Sequence, residues 1–124
     1  MRIAVNCRCI LLARRTGIGR YAYHLIDHLG KLPTKDTFPL YAPKRLFDRK
    51  RRLPEFAHAN FRPGVDYFNR GPRDCEVYHL PCPDDIGRHD GRLVVTIHDL
   101  VYKTYPQGHT AGTIELTQKY MEQI

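Results

Sequence analysis

The chain opens with an apolar stretch, passes through a turn holding two glycines, and enters an amphipathic segment. That order calls for a strand feeding directly into a helix. Between Arg2 and Leu12, Ile3, Val5, Cys7 and Cys9 alternate with Ala4, Asn6 and Arg8, and Ile10 to Leu12 close the run. So continuous a run predicts a parallel strand buried on both faces. The turn reads Arg14-Arg15-Thr16-Gly17-Ile18-Gly19-Arg20. Beyond it, Ile18, Ala22, Leu25, Leu29 and Leu32 recur at the spacing of one helical face, with Arg20, His24, Asp27, His28 and Lys31 mostly opposite. Thr16 is the expected N-cap, and Gly30 with Pro33 the expected stop.

Further strands are predicted at Thr37 to Ala42, ended by Pro43, at Asn60 to Arg62, at Glu76 to Leu80, and at Arg92 to Ile97. Eight of the nine prolines lie between Pro33 and Pro83, which makes the middle loop-rich. Thr113 to Ile124 is helical by pattern, with Ile114, Thr117, Met121 and Ile124 on one face. Strand, helix, four strands and helix predict an α/β fold: a Rossmann-like open, mostly parallel sheet with flanking helices. A helix at the end of such an order needs a surface to cover, so a further strand is expected beyond it.

At 124 residues there is room for one domain with a core of its own. Hydrophobic residues at 42% and charged residues at 27% exclude a disordered chain, a collagen and a coiled coil. No apolar run approaches the roughly 20 residues of a membrane span. Asn6 and Arg8 interrupt the N-terminal run, which argues against a signal peptide. The four cysteines (Cys7, Cys9, Cys75 and Cys82) are therefore expected as reduced thiols in a cytoplasmic protein.

The net charge of +7 is concentrated. Lys44, Arg45, Arg49, Lys50, Arg51 and Arg52, against Asp48 alone, put +5 in one short segment. A solvated loop is the simplest account of it. The segment would also suit peripheral contact with an anionic membrane. Nucleic acid is disfavoured, because aromatic interleaving is sparse and no nucleic-acid motif is present.

Three features fall at predicted strand ends: Thr16-Gly17-Ile18-Gly19, Pro81-Cys82-Pro83, and His98-Asp99. On a parallel sheet they converge on one rim, where such sheets bind ligands. Gly17 and Gly19 allow close backbone approach. The helix start favours a phosphate or carboxylate, and Arg14, Arg15 and Arg20 add charge. Taken alone, the two glycines are also what any tight strand-to-helix turn would use. His98 could act as a base, a hydrogen-bond donor or a metal ligand, or be satisfied locally. Cys75, His79 and Cys82, with Cys7 or Cys9, do not follow a standard zinc spacing and read better as small packing residues. Tyr21, Tyr23, Tyr102 and Tyr105 lie near strand ends, where tyrosines can stack on sugars or fill half-buried surface.

Three stretches carry a family resemblance: Met1-Arg2-Ile3-Ala4-Val5-Asn6 with Arg15-Thr16-Gly17-Ile18-Gly19-Arg20-Tyr21; Val77-Tyr78-His79-Leu80-Pro81; and Val94-Val95-Thr96-Ile97-His98-Asp99-Leu100 with Tyr105-Pro106. In order and separation they resemble the N-terminal half of family 4 glycosyltransferases. The resemblance implies half of a GT-B fold, in which two Rossmann-like halves face each other across a cleft. It implies retaining transfer of a sugar from a nucleotide diphosphate sugar, as co-substrate, to a hydroxyl acceptor, with no bound metal or other cofactor needed. It places Gly17, Gly19 and Arg20 near the donor phosphates, His98 facing the transferred sugar, and Asp99 supporting it as the second catalytic-site residue. The family's Glu-x7-Glu signature has no counterpart: Glu115 to Glu122 is one residue short. Residues 1–124 are thus expected to be a partial acceptor-side domain, apparently truncated. The nucleotide-sugar-binding half is absent and would come from a longer or a second chain. A non-catalytic Rossmann-like binding or scaffold protein is the alternative.

Overall fold

A computed structural model describes residues 1–11, 16–43, 52–66 and 70–124. Arg14, Arg15, Lys44, Arg45, Arg49, Lys50 and Arg51 lie outside the described residues; Arg52 is described and exposed. The strands are β1 (Ile3–Asn6), β2 (Phe38–Pro43), β3 (Phe61–Asp66), β4 (Val77–Leu80) and β5 (Arg92–Val95). They form one sheet in the order β3-β2-β1-β4-β5, and every pairing is parallel. The helices are α1 (Gly17–Lys31), the single turn α2 (Val101–Thr104) and α3 (Ala111–Met121). The fold is the α/β, Rossmann-like open parallel sheet that the order of elements predicts.

The first strand is shorter than the apolar run. β1 stops at Asn6, and Arg8–Ile10 forms a 3-10 turn. The cause is the Asn6 side chain. Its Oδ1 accepts the Arg8 amide at 2.9 Å and turns the chain, while its Nδ2 donates to the buried Tyr78 hydroxyl at 2.8 Å. β3 in turn runs longer than predicted, through Pro63 and Gly64. Among the described residues it pairs with β2 alone, and an edge strand tolerates a missing amide.

Side chains alternate between the two faces of the sheet. Val5, Leu40, Phe38 and Phe61 meet Ala22 and Ile26 of α1 on one face. Ala4, Tyr41, Tyr78 and Leu80 meet Cys75 and Ile86 on the other. Cys75 and Ile86 come from segments flanking β4.

Thr16 caps α1 as predicted, but the buried stripe is rotated from the predicted one. Ala22 and Ile26 are buried, whereas Ile18 (41% exposed) and Leu32 reach solvent. α3 starts two residues earlier than predicted, behind an N-cap at Thr110, and none of its residues is fully buried. Ile114, Thr117, Tyr120 and Met121 are half-buried and Ile124 is exposed.

Candidate functional site

All five strands run the same way, so their C-terminal ends share one rim. β2 and β3 lie on one side of β1, and β4 and β5 on the other. The segments leaving β1 and β4 therefore diverge, and a crevice opens between them at the point where open α/β sheets bind ligands. The start of α1, the Pro81–Asp84 turn and the Thr96–Asp99 segment all arrive there.

At the start of α1, Thr16 Oγ1 accepts the Gly19 amide at 3.2 Å, and the Thr16 carbonyl accepts the Arg20 amide at 2.9 Å. The Gly17 and Ile18 amides have no hydrogen-bond partner among the described residues. Two donors at the positive end of a fifteen-residue helix thus have no partner among the described residues, and such donors suit an anion. Gly17 is not needed for an unusual dihedral, because the positive-φ glycines among the described residues are Gly71 and Gly87. Nor is it needed for packing: a Cβ there would meet nothing within 4 Å. The missing side chain leaves open space beside the free amides. Gly19 is buried and its amide is committed to the cap, while Arg20 is exposed.

His98 donates from Nε2 to the Pro81 carbonyl at 2.8 Å. A carbonyl only accepts, so Nε2 carries the proton and Nδ1 of the neutral ring keeps its lone pair. The Tyr21 ring meets the imidazole edge-on, with centroids 4.8 Å apart. Thr96 Oγ1 lies 3.5 Å from the Tyr21 hydroxyl and 3.3 Å from Nε2 of the half-buried His79. Burial holds the His79 pKa below the ordinary value of 6.5. Asp99 is exposed, and its Oδ1 accepts the Val101 amide at 3.1 Å, which starts α2. Its carboxylate shapes the loop after His98.

These features share a cavity of about 290 Å³. Ile18, Cys82 and Pro83 form one wall, and His98, Asp99 and Tyr102 a second. His109 with Thr113, Thr117 and Tyr120 of α3 closes the third. Tyr102 is only 6% exposed, and its hydroxyl has no hydrogen-bond partner among the described residues. A buried orphan hydroxyl costs about 1–3 kcal/mol unless something bonds it. A more open hollow of about 430 Å³ around Gly30, Leu32 and Asn60 holds none of the expected site residues.

Arg8 Nη1 meets Asp84 Oδ1 at 2.9 Å, joining the segment after β1 to the one after β4. Burial raises the Asp84 pKa, and the Arg8 guanidinium only partly offsets it. Comparison with protein-family models, curated proteins and solved structures finds no match for the chain. Among the described residues no three His, Cys, Asp or Glu side chains gather to hold a metal ion. Cys75 donates to the Pro72 carbonyl and His79 faces Thr96, so neither joins the Cys9 and Cys82 thiols.

Gly17, His98 and Asp99 thus come to one rim, as their places at strand ends predict. Sequence reasoning missed His109, Thr113 and Tyr120. The last two, with Thr117, follow one stripe of α3 at helical spacing, and that spacing was the available signal. The predicted apolar stripe of α3 lies one step round the helix from it.

Proposed function

We propose that this chain is the acceptor-side part of a retaining glycosyltransferase, moving a sugar from a nucleotide diphosphate sugar to a hydroxyl acceptor. The observation that carries the reading is the shared cavity. Ile18, beside the two free helix-start amides, and His98, whose lone pair is on Nδ1, line the same space. A diphosphate and a sugar hydroxyl are separated by only a short span in a nucleotide sugar, and the cavity offers each its complement. In this reading the Gly17 and Ile18 amides bind the diphosphate oxygens and stabilise the charge that grows as the diphosphate leaves. Nδ1 of His98 accepts a hydrogen bond from a hydroxyl of the transferred sugar. Asp99 sets the loop that presents His98, and Arg20 adds positive potential at the mouth. The nucleoside would be gripped by a facing domain supplied by a longer or a second chain. The exposed Arg52 continues the basic segment for which contact with an anionic membrane surface is part of the same proposal.

The test is an NMR titration of the chain with a panel of nucleotide diphosphate sugars and with inorganic pyrophosphate. The expected result is saturable shifts at the Gly17 and Ile18 amides with either ligand class, and shifts of the His98 ring with the sugars. Gly17→Val should weaken binding at least about tenfold while leaving the melting temperature nearly unchanged, because the space it fills is empty. Absence of shifts at those amides with every ligand would refute the diphosphate assignment. No helix among the described residues is long and apolar enough to cross a membrane.

A further inference from the structure

The two edges of the sheet are built differently. β3, at one edge, carries Arg62, Pro63 and Gly64, and the Arg62 guanidinium folds back onto the Ala59 and Phe61 carbonyls. Charge, proline and glycine are what keep an edge strand from pairing with another chain. β5, at the opposite edge, has none of them from Leu93 to Ile97, where the chain reads Leu-Val-Val-Thr-Ile. Val94 and Ile97 are 47% and 45% exposed, and Leu100 and Val101 just beyond also reach solvent.

Only one side of β5 is bonded. The Arg92 amide donates to the Glu76 carbonyl and the Thr96 amide to the Leu80 carbonyl, each at 2.9 Å. Successive residues of a strand turn their backbone groups to opposite sides, so Leu93 and Val95 present theirs outward. Those groups have no hydrogen-bond partner among the described residues. Arg92 opens the strand and Asp99 follows it. Both are exposed, and neither has an ion-pair partner among the described residues. Laid antiparallel against a copy of itself, this edge brings each Arg92 to an Asp99. Laid parallel, it would bring like charges together.

We propose that β5 pairs antiparallel with β5 of a second copy of this chain, about a two-fold axis at Val95. Leu93 of each copy then lies opposite Ile97 of the other, and Val95 lies opposite Val95, so the outward backbone groups bond across the axis. Val94 of each copy meets Thr96 of the other, which covers the exposed valine. Arg92 of each copy stands opposite His98 and beside Asp99 of the other, at the rim of the cavity that those two residues line. The pairing occupies both β5 edges, and the blunted β3 edges are left at the far sides, so the assembly closes as a dimer. The dimer does not depend on the chain taking part in sugar transfer.

The test is sedimentation equilibrium of the native chain from about 1 µM to about 1 mM, with amide hydrogen exchange at both ends of that range. The expected result is one equilibrium between a 14.5 kDa monomer and a dimer of about twice that mass. The Leu93 and Val95 amides should exchange at least about tenfold more slowly at the high concentration. Arg92→Asp alone and Asp99→Arg alone should each weaken the dimer at least about tenfold, because each homodimer then holds two like-charge pairs. Mixed in equal amounts, the two variants should dimerise about as tightly as wild type, since every pair in the mixed dimer joins opposite charges. The proposal is overturned if the wild-type chain stays monomeric throughout, grows beyond a dimer, or dimerises with the Leu93 and Val95 amides exchanging as in the monomer. These outcomes are read on the wild-type chain alone, so failure of a variant to fold does not affect them.

Discussion

At the end of β1 a single side chain fixes both the local path of the chain and a contact across the sheet. Asn6 bonds the Arg8 amide ahead of it and the Tyr78 hydroxyl beside it, so the turn out of β1 is tied to the neighbouring strand. Nothing in the apolar run reveals this, because Asn6 looks like an interruption until its partner on β4 is known. His79, next to Tyr78, carries the pH dependence. Its pKa is lowered in the folded chain by burial, from an ordinary 6.5. Above that value the imidazole is neutral in both states and has no effect. As the pH falls through it, the unfolded chain binds the proton and the folded chain resists, so stability is lost on acidification. The melting temperature should be lower at about pH 5.5 than at about pH 7.5, and His79→Gln should shrink that difference. Asp84 has a raised pKa and acts in the opposite sense, so the comparison of variant with wild type isolates the imidazole.

At the scale of elements, α1 shows what periodicity can and cannot reveal. Its existence, its cap and its polar side were legible, because Thr16 and the charged residues act locally. The rotation of its buried face was not. Ile18 and Ile26 are the same residue type, and only the sheet decides which is covered. Ile26 packs in the core with Val5 and Phe38, whereas Ile18 lines the cavity at the rim. Ile26→Ala should cost about 2–5 kcal/mol in denaturant unfolding, and Ile18→Ala under about 1 kcal/mol. Equal losses would place the buried face where the sequence spacing put it. The site was legible to the same degree. Strand ends followed by Gly17 or His98 could be read from order alone, since parallel strands bring such ends together. The α3 wall could not, because a helix with no fully buried residue leaves only a weak apolar signature.

For the whole molecule, an open and mostly parallel sheet was legible from the strand-to-helix opening and the strands that follow it, and every pairing proves parallel. The packing of Cys75 and Ile86 on the second face was not, since they come from segments flanking β4 that have no periodicity. β5 is the clearest strand in sequence yet lies at the sheet edge, with Val94 47% exposed.

The central position of β1 has a consequence for the order in which the protein is made. Its first neighbour, β2, follows soon after it, but its second, β4, begins only at Val77. A growing chain leaves the ribosome with its middle strand bonded on one side, and that strand waits for most of the polypeptide before the sheet can close. Pairing over such long separations is slow to form, because the entropy of a large loop is lost before any contact compensates it. Ribosome-bound intermediates that have not yet released β4 should therefore be cut rapidly by protease. Resistance should appear abruptly once residues 77–80 have emerged, and a gradual rise from the first strand onward would contradict this. Until then, the surface that becomes the centre of the protein is its most exposed edge.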